Sequence, residues 1–497
     1  MSEKIYEVWA KEGADLKITN AIELEEYILR AHFKKNKPTK DEIVGIRNAI
    51  MKILYGGRDL EKEVDVEKYF DHGNFVAKKL ANDIMGKFVF KTMRDNEELF
   101  VYCDGVYIPE GEVVVKDVSE TILKERATTN KVNEVINHIK RSSYEKREKF
   151  DSNPYMVNLL NGIFDLKKMK LIPHTPKILT TSQLPIIFDR KADCPKIKNF
   201  IGEVVENNKV PLIQEFLGYC LWKEHHIHNS LMLVGKGANG KSTFLDMISA
   251  FLGNRNIKHI SLQDICTKRF SLAEMYGAHA NIYDDLPDNV LNHTGIFKML
   301  TGQSYLSAEK KFKDYFNFTS FAKMIFSTNQ VPESRDMSMA FYRRIIIVTF
   351  PNEFLGGKAD KKLIKKLTTK KELSGLFNWA VDGLKRLLKN EEFTNAPSVI
   401  EQETDYKRKS SSIACFAMDE LEKDDLSVLS KEEVFQRYVR YCEVNDLRPK
   451  SNVFFGRDLP NYASVETGKR TVDAERKMCW IGVKFREEVQ KGLEKFK

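Results

Sequence analysis

Leu231-Met-Leu-Val-Gly235-Lys-Gly-Ala-Asn-Gly240-Lys-Ser-Thr243 is the stretch on which the reading of this chain turns. A short apolar run enters G-x-x-x-x-G-K-S, and the residues that follow, Phe244 to Phe251, suit a helix. Strand, glycine-rich loop and helix in that order make a phosphate-binding loop. Gly235, Gly237 and Gly240 allow a tight turn, so that backbone N–H groups from Ala238, Asn239, Gly240 and Thr243 aim inward at phosphate oxygens. Lys241 is expected to reach the β- and γ-phosphates, and the Ser242 hydroxyl to ligate Mg²⁺. The positive end of the following helix would face the same phosphates. The stretch predicts an α/β fold with a P-loop core, and ATP with Mg²⁺ as ligands.

Composition sets the frame around that motif. The 497 residues suffice for roughly three domains. Hydrophobic residues are 42% and charged residues 30%, the balance of a soluble, core-forming chain. The net charge of +9 suits a polyanionic partner, though lysine-rich surfaces also occur without one. Seven cysteines are scattered without C-x-x-C spacing, as expected of reduced thiols in a cytoplasmic protein. No stretch approaches the ~20 apolar residues of a membrane span, so no membrane partner is expected. His225, His226 and His228 lie near one another without an accompanying thiol or carboxylate set, which argues against a metal role.

Outward from the loop, four regions are expected. Residues 1–75 are rich in lysine and glutamate with helical spacing, and read as a small helical region. Residues 76–204 read as mixed α+β. Leu99 to Pro109 carries an Asp104-Gly105 turn signal, and Met156 to Leu166 an Asn161-Gly162 signal. Residues 205–395 alternate strand with helix; the expected strands are 231–234, 278–283, 321–327 and 344–350, followed by a helical lid. Residues 396–497 read as a last small domain.

A P-loop ATPase needs an acid at the end of a neighbouring strand. The strand ending at Tyr283 delivers Asp284 and Asp285. Asp285 is expected to take the catalytic and Mg²⁺-binding role, with Asp284 behind it. The strand ending at Ser327-Thr328 delivers Asn329, a candidate γ-phosphate sensor. Arg343 and Arg344, next to an apolar strand, are either a structural ion-pair element or an arginine finger that reaches a neighbouring subunit's γ-phosphate. Between acid and sensor, Lys298-Met-Leu-Thr301-Gly302 is followed by a hairpin. Its tip, Lys310, Lys311, Phe312 and Lys313, offers cations for phosphates and a ring for a base.

The ordered set of P-loop, Asp284-Asp285, Lys298-x-Leu-Thr-Gly302, hairpin lysines, Asn329 and Arg343-Arg344 resembles a superfamily-3 helicase. More narrowly it resembles the helicase part of phage, plasmid and poxvirus-type primase-helicases. Tyr102-x-Asp104-Gly-Val-Tyr107, Asn161-Gly-Ile-Phe-Asp165 and His174 are similar to the domain preceding the ATPase in that family. Gly375-Leu-Phe-Asn-Trp379-Ala and Gly383-Leu-x-Arg386-Leu resemble the segment after it. Val434-Phe-x-x-Tyr438-x-x-Tyr441, then Phe454-Phe455 and Leu459, is similar to a closing winged-helix domain. The resemblance implies an AAA+-like core that forms a ring, a homo-hexamer, with ATP between subunits and the finger given in trans. The hairpin lysines would track single-stranded or forked DNA with 3′→5′ polarity, in a replicative helicase of a phage, plasmid or integrated mobile element in a prokaryotic cytoplasm. Residues 1–75 are too few for a primase domain, so a separate primase or initiator is expected as a partner. A P-loop replication initiator or DNA-remodelling ATPase without processive unwinding is the alternative.

Overall fold

A computed structural model describes residues 65–311, 315–354, 360, 362–472 and 474–486, with the isolated positions 28 and 32. The expected helical region 1–75 therefore lies almost wholly outside the described residues. Its described end is not helical in the α sense: a 3-10 turn, Val66–Tyr69, runs into a small hairpin of β1 (Phe70–Asp71) and β2 (Asn74–Phe75).

The region that follows is mixed α+β, in two pieces. β3 (Phe90–Met93), β4 (Leu99–Cys103), β5 (Val106–Ile108) and β6 (Tyr144–Glu145) form a sheet in the order β5-β4-β3-β6. Helices Ala77–Lys87, Gly111–Leu123 and Thr129–Ser142 bury Leu80, Ile84, Val114, Val118, Val135 and Ile139 in a core shared with Leu99 and Val101. The Asp104-Gly105 turn joins β4 to β5 as expected, with both residues at positive φ (45° and 92°). The second piece is β7 (Met156–Leu159), β8 (Gly162–Asp165) and β9 (Lys170–Ile172). Here the turn is shifted from the expected Asn161-Gly162. Leu159 pairs with Gly162, which leaves Leu160-Asn161 as the turn. Gly162 is needed within the strand, because a Cβ there would lie 2.6 Å from the Ile172 carbonyl oxygen.

The central sheet holds β10 (Ser230–Val234), β11 (Ile257–Lys258), β12 (Ala280–Tyr283), β15 (Lys323–Thr328) and β16 (Ile345–Thr349). Its order is β11-β12-β15-β10-β16 and every pairing is parallel. These strands are short apolar runs because both faces are covered. Leu231, Leu233, Ile282, Ile325, Ile346 and Val348 face helices Pro195–Val204, Val210–Tyr219, Lys241–Leu252 and Lys370–Asn390. The alternate residues Met232, Val234, Met324, Phe326, Ile345 and Ile347 face the opposite layer, built from Leu262, Phe297, Leu300, Phe341 and Tyr406. A one-residue slip in any strand would exchange the two sets.

Helix Lys370–Asn390 lies close against Val210–Tyr219. A Cβ on Gly218 would sit 2.2 Å from the Ala380 carbonyl oxygen, so only glycine permits this approach. Arg386 donates to Glu215, whose side chain is fully buried, at 2.5 Å. The Gly383-Leu-x-Arg386 pattern thus serves helix packing.

β13 (Tyr305–Glu309) and β14 (Tyr315–Thr319) form the expected hairpin. Leu306, Ala308, Phe316 and Phe318 are buried on one face, and Tyr305 and Tyr315 stand exposed on the other. Three residues, 320–322, separate β14 from the first residue of β15. The hairpin therefore springs from the amino edge of the central sheet.

Helix Val399–Ser410 packs back on the central unit through Tyr406, whose hydroxyl donates to the Pro332 carbonyl at 2.7 Å. Helix Val399–Ser410 thus packs with the central unit. Beyond it come helix Ser412–Glu420, β17 (Leu421–Ser430), helices Lys431–Val444 and Asn452–Asp458, then β18 (Glu466–Val472) and β19 (Glu475–Phe485). The strands form an antiparallel sheet in the order β17-β19-β18 around Phe416, Tyr438, Phe455 and Trp480. Among the described residues no helix is long and apolar enough to cross a membrane.

Candidate active site

Three loops meet at the carboxyl edge of the central sheet, where open α/β sheets bind ligands. β10 leads into 235–240, β12 into Asp284-Asp285, and β15, which lies between them, into Asn329. They enclose a cavity of about 410 Å³ lined by Gly237, Ala238, Asn239, Gly240, Lys241, Ser242, Thr243, Asp284, Asp285, Ser327 and Asn329. The sequence-predicted loop, acids and sensor are therefore brought together.

Local chemistry explains the loop. Gly235 has no room for a side chain, since a Cβ would lie 2.2 Å from Asn239 Nδ2 and 2.7 Å from the Phe350 carbonyl oxygen. Ala238 and Gly240 take positive φ (56° and 90°), and helix Lys241–Leu252 starts directly after them. Lys241 Nζ donates to the Gly235 carbonyl (2.5 Å), the Lys236 carbonyl (3.2 Å), Asn239 Oδ1 (3.3 Å) and Asn329 Oδ1 (3.1 Å). Burial holds the Lys241 ammonium below its ordinary pKa, while Asp284 and Asp285 pull it the other way.

The two carboxylates are not equivalent. Asp284 accepts from the Ser242 hydroxyl at 2.8 Å and from the Ser327 hydroxyl at 2.7 Å. Asp285 follows at φ 57°, a left-handed conformation that aspartate tolerates, and it too lines the cavity. The carboxylate beside the candidate Mg²⁺ ligand Ser242 is thus Asp284, where the spacing had favoured Asp285. Ser327 had no signal of its own in the sequence beyond its place one residue from a strand end.

The paired arginines part company. Arg344 is 8% exposed; its Nε donates to Thr301 Oγ1 at 3.1 Å and its Nη1 to the Ala340 carbonyl at 2.5 Å. Burial, then the neighbouring Arg343, lowers its pKa. Arg344 is thus hydrogen-bonded within its own chain, the arrangement of the structural alternative for this pair. Arg343 is exposed. The Lys298-x-Leu-Thr301 motif supports the same loop. Thr301 holds Arg344, and Lys298 donates to Asp336 at 2.7 Å.

At the opposite edge of the sheet, Lys310 pairs with Glu98 of the β3–β4 turn at 3.1 Å. Lys311 follows it, whereas Phe312 and Lys313 lie outside the described residues. Arg269 braces the hairpin through Glu309 (2.5 Å) and the Tyr315 hydroxyl (2.9 Å). His225 is buried against the Tyr219 hydroxyl (3.2 Å) and the Ala322 carbonyl (3.0 Å). Among the described residues no group of three or more His, Cys, Asp or Glu is arranged to hold a metal ion. None of the seven cysteines forms a disulfide.

Comparison with known proteins follows the same division of the chain. A family model described as D5 N terminal like matches residues 59–206. A second, described as a family of unknown function (DUF5906), matches residues 233–344, from β10 to Arg344. A protein of Acanthamoeba polyphaga mimivirus named as a putative helicase is 25% identical over 228 residues, covering 44% of this chain and 24% of that protein. Another so named, from Invertebrate iridescent virus 6, is 24% identical over 266 residues, covering 47% of this chain and 27% of that protein. The match thus spans about a quarter of each relative's length. A solved apo structure of the NrS-1 C-terminal region superposes loosely, with a TM-score of 0.45 at 11% identity, over 81% of this chain and 98% of that one. The D5 family match and the two viral relatives support a likeness to D5-type helicase proteins at low identity.

Proposed function

We propose that the chain is an ATP-driven DNA motor, a helicase of superfamily-3 type with an AAA+-like core. One observation carries the reading. Lys241, Ser242, Asp284, Asp285 and Asn329 line a single cavity at one edge of a parallel sheet, and a lysine-bearing hairpin leaves the other edge. The likeness to proteins named as viral helicases supports it.

The residues fit a magnesium nucleotide. Open space surrounds Gly237, where a Cβ would meet nothing within 4 Å, so a phosphate can approach the backbone closely. Lys241 is held in the cavity by oxygen acceptors, the kind of partner that phosphate oxygens would replace. Ser242 and Asp284 would hold Mg²⁺, Ser242 directly and Asp284 directly or through water. A bound Mg²⁺ supplies charge neutralisation at the phosphates. Asp285, at the same cavity and outside the Ser242 contact, orients the attacking water, and Asn329 senses the γ-phosphate. Lys241 stabilises the charge that shifts in phosphoryl transfer. Arg343 serves as the finger on a neighbouring copy in a ring, a homo-hexamer, and Arg344 positions its loop.

Lys310, Lys311 and Lys313 engage single-stranded DNA phosphates, and Phe312 meets a base. The order of the last module, helix–β17–helix–helix–β18–β19 with β19 central, supports a winged-helix reading and a duplex contact at the fork. Unwinding of a forked duplex by the purified full chain with ATP and Mg²⁺ tests the proposal. DNA-stimulated hydrolysis without strand separation would move the reading to a remodelling ATPase. No stimulation by DNA at all would sink the motor.

A further inference from the structure

Lys310, directly after β13 in the hairpin, is already engaged in the folded chain. Lys310 Nζ lies 3.1 Å and 3.4 Å from the two carboxylate oxygens of Glu98, 212 residues earlier in the sequence. The Glu98 side chain is 17% exposed and that of Lys310 35%, so the pair is partly withdrawn from water. Glu98 is also held from behind, where its backbone N–H donates to Asn96 Oδ1 at 3.1 Å.

An independent set of contacts seats the same turn on the hairpin. Arg147 forks onto Asp95 through Nε (2.6 Å) and Nη2 (2.9 Å). Its guanidinium then lies 4.3 Å from the ring centroid of Phe316 on β14 and 4.6 Å from that of Tyr276. The Tyr276 hydroxyl in turn points at Met93 Sδ on β3, at 3.9 Å. The β3–β4 turn is therefore anchored to the hairpin stem by Arg147, and it presents a carboxylate to Lys310.

We infer that this turn is an internal competitor for DNA: the Glu98 carboxylate sits on Lys310 where a nucleic-acid phosphate would otherwise sit. The inference rests on the proposed DNA role of the hairpin. A carboxylate and a phosphate offer the same two-oxygen, anionic face to an ammonium. The ammonium has three N–H donors, but the Glu98 carboxylate neutralises its charge and repels an incoming phosphate, so DNA binding competes with Glu98 for Lys310. The preceding α+β domain thereby raises the threshold for single-strand binding while leaving the nucleotide cavity, at the other edge of the sheet, untouched.

The test is a double-mutant cycle on the full chain, read as equilibrium binding of a labelled oligo-dT by fluorescence anisotropy at fixed salt, with thermal melting to verify the fold. Glu98→Gln keeps the size and removes the charge. It should bind oligo-dT about two- to five-fold more tightly than wild type, the scale of one partly exposed ion pair. Lys310→Ala should bind more weakly, and adding Glu98→Gln to it should change nothing further. If Gln disturbs the turn, Glu98→Ala provides the same arm. Unchanged or weaker binding in both Glu98 variants overturns the competitor, as does a gain that persists without Lys310. Failure of wild type to bind oligo-dT at all, or indifference of binding to Lys310→Ala, would instead remove the hairpin reading beneath it.

Discussion

Asp284 and Asp285 are neighbours with different partners, so they should fail differently. Asp284→Asn should weaken binding of the magnesium nucleotide, because it alters the carboxylate that accepts from Ser242 and Ser327. Asp285→Asn should leave binding near normal and depress hydrolysis. Titration with a fluorescent ATP analogue, beside phosphate-release rates, separates the two. Lys241→Ala should cost roughly 10²-fold or more in hydrolysis, on the scale of losing one preorganised stabiliser of transition-state charge. The arginines give a sharper contrast. Arg343→Ala should lose on the order of 10³-fold in hydrolysis without lowering the melting temperature. Mixed with Lys241→Ala subunits, it should regain part of the activity. Arg344→Ala should lower the melting temperature, because it strips a buried Thr301 and the Ala340 carbonyl of their donor. Melting curves that rank the two variants the other way round would reverse these assignments.

At the scale of elements, replacing Lys311 and Lys313 with alanine should reduce the salt slope of single-strand binding by roughly one or two units if both neutralise phosphates. Basal hydrolysis in the absence of DNA should persist. An unaltered slope would leave the hairpin a purely structural arm. The hairpin, the four main strands of the central sheet and the Asp-Gly turn were all legible from sequence, because each is specified by local pattern: alternation, short apolar runs and turn chemistry. What escaped reading depends on partners far away in sequence. The shifted Leu160-Asn161 turn goes with the place of Gly162 within the strand, close against the Ile172 carbonyl across the sheet. The burial of Arg344 is dictated by Thr301, and the engagement of Lys310 by Glu98. The division between Asp284 and Asp285 needed the position of Ser242 in space, 42 residues before the acid it touches.

For the molecule as a whole, the join between the α+β region and the central-sheet unit responds to pH. Asp151 and Lys223 form an ion pair at 2.5 Å with side chains 7% and 2% exposed. Burial pushes the Asp151 carboxyl up, but the Lys223 charge and hydrogen bonds from Lys223 and Thr181 outweigh it and hold its pKa below the ordinary value. Because the folded pKa lies below the unfolded one, the stabilisation is complete above about pH 4 and is lost as pH falls through the folded value. Asp336 behaves alike: burial raises it, and donors from Lys298, Ser338 and Thr294 hold it well below the carboxylate range. Asp151→Asn should cost about 3–5 kcal/mol at neutral pH, since it leaves Lys223 buried and unpaired. It should also flatten the acid limb of a denaturation-midpoint profile. A variant that retains the wild-type acid limb would show that other carboxylates govern it.

β15 has Asn329 directly beyond one end and the hairpin three residues before the other, and at their junction Lys323 donates to the carbonyls of Trp222, Glu224 and Phe321 at 2.7–2.9 Å. Six strand residues at ~3.3 Å each make a connecting rod about 20 Å long, clamped at its hinge and fully buried along its length. Close-packed along its whole length, such a strand should bend little. Under the motor reading, the hairpin cannot swing within its own subunit when the γ-phosphate is cleaved, so the stroke must come from rotation of one copy against the next. A spin-label pair spanning the cavity and hairpin of one subunit should therefore keep its distance through the ATP cycle, while a pair placed on adjacent hairpins should not.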